Sequence, residues 1–383
     1  MKILLLGEYS RLHNSLKEGL ISLGHKVTLL SDGDGFKNFP NDLSIRASLT
    51  NTFPLRYFKL GIYKIFKFDL SELERGLRCF FLLKKLKNFD VVQLINEKPI
   101  KTTPTVERYL LKRIFYNNTN VFLLSCGVDT ISVNYMMDKK LRYSLLDPYF
   151  TNPKLKNEFN YVLEYNLNSQ NKTHDLVFNN IKGVIASDFD YVLPLKNHKQ
   201  FLGLIPNPVN LKEFSFQQPP FDQKIVIFLG INRGTYHAKG IPYFEKALAS
   251  IQNTYRDRVK VITVENIPYN EYITLYNEAH IVLDQIYSYD QGYNALEAMA
   301  QGKVVFTGAE KEFLDHYNLR EDDVGINALP NVDYLIAKLS NLIENPEKIK
   351  AIGKSARAFI EDKHDSIKVA QKYSDTYNKF QNK

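Results

Sequence analysis

Short, nearly continuous apolar runs recur along the chain and alternate with amphipathic stretches of helical period. The first run, residues 3–6, is followed by a break at Gly7-Glu8-Tyr9-Ser10, a segment of 3.6-residue period reaching Leu23, and a second run at 26–30. Runs without polar alternation read as strands buried on both faces, and a helix between two of them reads as a βαβ unit of a parallel sheet. Further runs at 91–95, 121–124, 184–186 and 201–205 each stand beside a helical pattern. After Pro206-Asn207-Pro208 and the Pro219-Pro220 pair the alternation restarts, with runs at 224–229, 259–264, 281–284 and 304–307. Two Rossmann-like, doubly wound α/β domains are therefore expected, the second beginning near residue 207. From about Pro346 the pattern is helical, ending in a polar segment at 366–383.

Composition changes this picture little. The 383 residues and 44% hydrophobic content suffice for two domains with cores of their own. No apolar run approaches the roughly 18–20 residues that cross a bilayer. The opening stretch meets Glu8 at once and reads as a strand, not as a secretory signal. Cys79 and Cys126 suggest neither a metal knuckle nor a disulfide framework, and a reducing cytoplasm fits. A net charge of +8 favours anionic partners: diphosphates, membrane surfaces or nucleic acid. Nucleic acid is set aside, because the chain has no zinc-finger cysteines, no glycine/aromatic recognition signature and no Lys/Arg block.

Between Thr52 and Phe68 lie Arg56, Tyr57, Phe58, Lys59, Tyr63, Lys64, Phe66 and Lys67. The leading expectation is a helix whose aromatics pack on the sheet while its lysines are solvated; peripheral contact with an anionic bilayer is the alternative.

Two stretches carry candidate chemistry. The segment from Phe228 to Gly240 contains Gly230, Arg233 and Lys239, follows a strand and opens a helix. Cations there stand at a sheet's carboxyl edge, where doubly wound folds bind ligands, and suit a diphosphate; the alternative is an exposed loop with incidental charges. The second stretch, Gln291-Gly292-Tyr293-Asn294-Ala295-Leu296-Glu297-Ala298-Met299-Ala300-Gln301-Gly302-Lys303-Val304-Val305, opens a helix at a glycine and leads into a strand. Its helix amino terminus offers free N–H groups to a phosphate. Glu297 could accept hydrogen bonds from ribose hydroxyls, although alone it reads as a helix-surface residue.

Together these stretches resemble the retaining GT-B glycosyltransferases of family four, glycosyl transferases group 1. The carboxy-terminal domain of that family carries a Gly-Arg...Lys-Gly loop and then a Glu-Ala-Met-Ala-x-Gly-x-Pro-Val-Val motif. Here Lys303 takes the usual proline position. Ile205-Pro206-Asn207-Pro208-Val209-Asn210 looks like the interdomain Pro-Asn-Gly-Val-Asp element, and Leu275-Tyr276-Asn277-Glu278-Ala279-His280 like the helix and strand before the glutamate motif. Leu23-Gly24-His25-Lys26-Val27 is similar to the turn into the second strand.

The resemblance implies a first, acceptor domain over 1–206 and a nucleotide-sugar donor domain over 207–365. The domains would face a cleft that closes over substrate, with a helix at 366–383 returning to the first domain. It implies that Arg233 and Lys239 bind the donor diphosphate and assist catalysis, and that Glu297 holds the ribose. Gly230, Asp290, Gly292 and Asn294 complete the donor set. No metal and no cofactor is implied beyond the nucleoside-diphosphate sugar as co-substrate. The partners would be that donor and a glycan or lipid-linked glycan acceptor, in surface polysaccharide or glycan assembly, cytoplasmic or peripheral on the inner membrane face.

Two departures stand out. The family's sugar-facing glutamate, eight residues before Glu297, is Tyr289 here, with Asp290 the nearest carboxylate. The turn Ser125-Cys126-Gly127-Val128-Asp129 lacks the histidine frequent in relatives, leaving Asp129 as either a base for the acceptor or a helix cap. On the acceptor side the candidates are Gly7, Ser10, His13 and Asn14. A catalytically silent nucleotide-sugar-binding subunit and a GT-B sugar-nucleotide epimerase are the competing readings. An NAD-dependent dehydrogenase is disfavoured, because one glycine follows the first strand where a Gly-x-Gly-x-x-Gly is required.

Overall fold

The computed structural model describes residues 1–66, 68–221, 224–267 and 269–381. Lys67 of the basic aromatic stretch and the last two residues of the expected terminal helix, Asn382 and Lys383, lie outside the described residues. The chain divides into two compact units. One comprises Met1–Asn134, Val162–Pro208 and the chain from Ser366 onward; the other comprises Tyr135–Tyr161 and Val209–Asp365.

In the first unit, strands β1 (Lys2–Leu6), β2 (Lys26–Ser31), β3 (Leu43–Ser44), β4 (Val91–Leu94), β5 (Val121–Ser125), β6 (Gly183–Ala186) and β7 (Phe201–Leu204) form one parallel sheet. Their order is β3-β2-β1-β4-β5-β6-β7. β4 and β5 are buried along their whole lengths, which is why β5 reads as an apolar run over 121–124 and β4 as one interrupted only by Gln93. Helix α1 (Leu12–Ser22) returns the chain from β1 to β2. The sheet grows one way from β1 to β3 and the other way from β4 to β7, so its topological switch lies between β1 and β4. Gly7 sits there at φ +89°, where a Cβ would stand 2.4 Å from Ile95 Cγ2 and 2.9 Å from the Pro99 carbonyl oxygen. Glycine satisfies both the backbone conformation and the close approach.

The carboxy-terminal helix Ser366–Gln381 belongs to this unit. Tyr373 and Tyr377 are fully buried, and the Tyr377 hydroxyl donates to Gln93 Oε1 at 2.9 Å. The approach to α1 is closed by Gly19, whose missing Cβ would lie 2.1 Å from the Ser366 carbonyl oxygen.

In the second unit, β8 (Ile225–Ile231), β9 (Val259–Glu265), β10 (Ile281–Leu283), β11 (Val304–Thr307) and β12 (Ile326–Asn327) pair in parallel, in the order β12-β11-β10-β8-β9. Its switch point lies between β8 and β10. Helices Ile241–Thr254 and Val332–Glu344 pack apolar faces onto a core that includes Ile227, Leu229, Phe244, Leu283, Phe306 and Leu339.

The structure departs from expectation in three places. β3 and β12 are two-residue edge strands, too short to carry an alternation signal. Residues 135–161 precede the interdomain proline element in sequence yet pack with the second unit. In helix α2 (Leu55–Phe66) the aromatics do not pack on the sheet: none of its residues is buried, and Phe58 and Phe66 are 62% and 72% exposed. The helix rests instead beside the Leu49–Asn51 turn and helix α3 (Leu70–Leu82), with Lys59 Nζ donating to Asn51 Oδ1 at 2.6 Å.

Candidate functional site

The loop after β8 gathers the predicted cations at the switch point of the second unit. A short 3₁₀ turn, Arg233–Thr235, is capped by the Asn232 side chain, which accepts from Gly234 N at 2.9 Å. The chain then passes Gly240 at φ +71° into helix Ile241–Thr254; a Cβ on Gly240 would stand 2.7 Å from Ile286 Cβ. Lys239 Nζ donates to Asp284 Oδ1 at 2.9 Å, joining the loop after β8 to the end of β10 across the switch. Asp284 is buried, and its Oδ2 has no hydrogen-bond partner among the described residues. Arg233 reaches the other way: Nε and Nη2 donate to Glu265 Oε2 at the end of β9, at 2.9 and 2.7 Å, and its guanidinium lies over Tyr236. The two cations thus share one loop but are held apart, each on a carboxylate of a flanking strand. Gly230 lies within β8, where a Cβ would meet the Tyr272 ring at 3.2 Å.

The loop after β10 leads to helix Tyr293–Ala300, whose N-cap is Gly292 with no side-chain cap. Asn294 is exposed in its first turn and Glu297 half-buried three residues on, on the same side of the helix. Asp290 is buried and turned onto its own loop, its Oδ1 accepting from Gln291 N at 2.7 Å. Behind it, Gly308 leaves no room for a side chain: a Cβ would lie 2.4 Å from the Asp290 carbonyl oxygen. Lys303 is buried; its Nζ donates to the carbonyls of Asn277 and Ala279, at 3.2 and 2.9 Å, and satisfies the end of helix Tyr269–Asn277. Burial pushes its ammonium down to about 8.

Tyr289 is engaged elsewhere. It is buried, its hydroxyl accepts from Arg142 N at 2.7 Å, and its ring lies 5.3 Å from Tyr143. Arg142 donates to Glu310 and Glu312, each at 2.7 Å, and Tyr143 hydrogen-bonds Glu310. Arg142 holds the Glu312 carboxyl below its ordinary value; Glu310 is lowered too, because hydrogen bonds from Tyr143, Asn327 and Arg142 outweigh its burial. Farther along the same segment Glu158 accepts from His237 N at 2.7 Å and pairs with its Nδ1 at 2.6 Å. These contacts explain why residues 135–161 fold with the second unit, and they give Tyr289 a seating role.

In the first unit, Glu8 follows β1 and bends onto the start of α1. It accepts from His13 N at 3.2 Å, Asn14 N at 2.9 Å and Asn14 Nδ2 at 2.6 Å. The amino terminus of α1 therefore already holds a carboxyl group. Burial raises that carboxyl to about 7 against the opposing hydrogen bonds. His13 is fully buried, with Nδ1 2.7 Å from the Gly7 carbonyl oxygen and Nε2 without a partner among the described residues; burial pushes its ring down to about 3. The neutral ring donates through Nδ1 and keeps Nε2 as an acceptor. Ser10 N donates to Asp34 Oδ2 at 2.9 Å, and its hydroxyl accepts from Lys37 Nζ at 2.9 Å.

Asp129 stands after β5 in a capping geometry: its Oδ1 accepts from Ser132 N at 2.7 Å, and the Ser125 hydroxyl donates to Oδ2. It is buried and raised, first by desolvation and then by the charge of Glu97. Sequence reading missed Glu97, which is fully buried after β4 and accepts from Thr130 Oγ1 at 2.7 Å and Gln170 Nε2 at 3.2 Å, with His174 Nδ1 at 2.8 Å. Its partners come from distant segments, so no local pattern marks it. Asp284 was also missed, although a carboxylate ending a strand beside a switch point is a readable signal.

Residues 236–375 match the family model described as glycosyl transferase-like. No curated protein matches the chain. Among solved structures, sucrose-phosphate synthase from Thermosynechococcus elongatus is 15% identical, covers 99% of each chain and has a TM-score of 0.63. Anabaena HepE in complex with UDP and glucose is 12% identical over 99% of this chain and 100% of its own, with a TM-score of 0.59. S. aureus MnaA in its UDP co-structure is 12% identical over 100% and 97%, with a TM-score of 0.54. With its two parallel sheets, the chain has the GT-B fold along its whole length.

Proposed function

We propose that this chain transfers a glycosyl unit from a nucleoside-diphosphate sugar to an acceptor hydroxyl, with the donor diphosphate bound at the β8–β10 switch of the second unit. The observation that carries the reading is the Lys239–Asp284 pair, which sets an ammonium across the switch point of a glycosyl transferase-like domain. In the reaction the bond from the anomeric carbon to the diphosphate oxygen breaks and the bond to the acceptor oxygen forms. The acceptor proton passes to the departing diphosphate. Charge grows on that diphosphate in the transition state, and two cations, Lys239 held at the switch and Arg233 swung in from Glu265, stabilise it there more than in the ground state. They supply the charge a metal would bring, so transfer needs none, and attack on the face the diphosphate leaves retains configuration. Glu297, one helical turn from the glycine-opened terminus, receives the ribose hydroxyls, with Asn294 beside it. Arg233 reaches the diphosphate by leaving Glu265, an exposed pair that solvent screens.

UDP, named for the HepE and MnaA complexes, makes UDP-sugars the first donors to try. On the acceptor side, of Gly7, Ser10, His13 and Asn14, His13 offers the uncommitted Nε2. A surface glycan or a lipid-linked glycan, assembled on the cytoplasmic side, is the acceptor class the reading favours. The test is release of nucleoside diphosphate from UDP-, GDP-, ADP- and dTDP-sugars, with and without glycan acceptors. Acceptor-dependent release supports transfer; conversion of the donor alone to another sugar nucleotide replaces it with epimerisation. Binding without any turnover would favour the silent-subunit reading, for which Tyr289, buried against Tyr143, is the specific observation.

A further inference from the structure

Residues 43–89 hold ten Lys and Arg against three Asp and Glu, a net +7 of the chain's +8. The three acids are not open to solvent charge: Asp69 caps α3 by accepting from Ser71 N, Glu72 is half-buried, and Glu74 is buried on Leu49 N, Thr50 N and Arg78. By contrast Arg56, Lys64, Lys84, Lys85 and Lys87 are exposed and have no carboxylate partner among the described residues.

Apolar side chains crowd the same surface. Among the described residues, thirteen of the twenty exposed large hydrophobics lie between Leu49 and Phe81, so they form a patch and are not scattered singly. On α2, Leu55, Phe58, Ile62, Ile65 and Phe66 recur at helical spacing on one face, and Ile65 is 73% exposed. Leu73, Leu77, Phe80 and Phe81 form a second exposed stripe along the adjoining α3. A twelve-residue helix without a buried side chain is marginal in water, since most helical stability comes from packing of an apolar face.

We propose that α2 and α3 are a docking surface for an anionic lipid bilayer, with α2 lying in the interface. This goes beyond the transfer reaction and does not rest on it. Charge selects the occupant: a second copy would bring the same net +7 against itself, and a polyanion without apolar surface would leave Ile65, Phe66 and Leu77 in water. An anionic bilayer offers both phosphate charge and an apolar layer, and interfacial amphipathic helices combine these two features.

The test is flotation of the full chain with vesicles of phosphatidylcholine alone and of equimolar phosphatidylcholine and phosphatidylglycerol, at low ionic strength. The wild type is expected on the anionic vesicles and not on the neutral ones. The double substitution Phe58→Glu with Ile65→Glu lowers partitioning roughly tenfold or more, each ring or branch losing its place in the apolar layer. Replacing Lys84, Lys85 and Lys87 by Gln lowers it about fivefold per cation near the surface. All of these side chains are exposed, so both variants should melt at the wild-type temperature; the Lys-to-Gln set keeps the test valid should the Glu pair misfold. Equal binding to both vesicle types, or folded variants that bind like wild type, overturns the proposal. So does concentration-dependent dimerisation abolished by the double substitution, which would assign the patch to a second copy.

Discussion

Replacing Lys239 by Met separates two consequences that the structure ties together. The ammonium lies 2.9 Å from Asp284 Oδ1, the Asp284 side chain is 5% exposed, and its Oδ2 has no other partner among the described residues. At an effective dielectric of about 20, two unit charges at that distance attract by about 6 kcal/mol before desolvation. Stripping one partner from a buried pair costs about 3–5 kcal/mol. Because the Lys239 side chain keeps 29% of its exposure, solvent screens part of this, and about 2–3 kcal/mol is the expected loss. That corresponds to a fall in melting temperature of about 5–10 °C for a unit of this size. Adding Asp284→Asn removes the stranded charge and should restore most of the loss. Turnover behaves differently: losing one preorganised charge-stabilising donor lowers kcat by about 10²–10³, and the second substitution cannot return it. Calorimetry and diphosphate release on the single and double variants check both arms. Recovery of turnover together with stability in the double variant would refute the reasoning, because Lys239 would then act only by holding Asp284.

Other expectations follow from the same geometry. Arg233→Ala leaves the melting temperature within about 1–2 °C of wild type, since its pair with Glu265 is exposed; diphosphate release falls by about tenfold or more, and unchanged kinetics would remove Arg233 from the site. Glu8 is raised to about 7 by burial, so the folded state binds its proton more tightly than the unfolded chain does. Wild type should therefore lose about 1–3 kcal/mol relative to Glu8→Gln as pH rises from about 4.5 to 7.5, read by urea unfolding. Lys303, lowered to about 8, works in the opposite sense: the unfolded chain keeps its proton to higher pH, so wild type gains about 1–3 kcal/mol over Lys303→Met between about pH 8 and 10.5. Parallel pH profiles of either pair would contradict the assigned burial.

Most of the architecture was legible because parallel strands buried on both faces leave nearly continuous apolar runs, as β5 and β11 do. Glycines at switch points were legible for a related reason: Gly7 and Gly240 occupy positions where a Cβ collides with the neighbouring strand's loop. What escaped depends on pairing at a distance. The membership of 135–161 in the second unit is decided by Arg142 on Glu310 and Tyr143 on Tyr289, contacts spanning more than a hundred residues. The aromatics of α2 carry the same amphipathic pattern whether a protein core or another apolar phase covers them, so sequence could not tell that they stand exposed. Likewise Arg233 and Lys239 are close in sequence, yet Glu265 and Asp284 draw them to opposite sides of β8.

The account rests most directly on a nucleoside diphosphate binding at the β8–β10 switch. Thermal stabilisation of the wild type by UDP-, GDP-, ADP- and dTDP-sugars, repeated on Lys239→Ala, tests it, since a ligand that binds only the folded state raises its melting temperature by mass action. The account predicts a shift with one nucleotide that disappears in the variant. A shift of equal size in both proteins, or none with any donor, would contradict it.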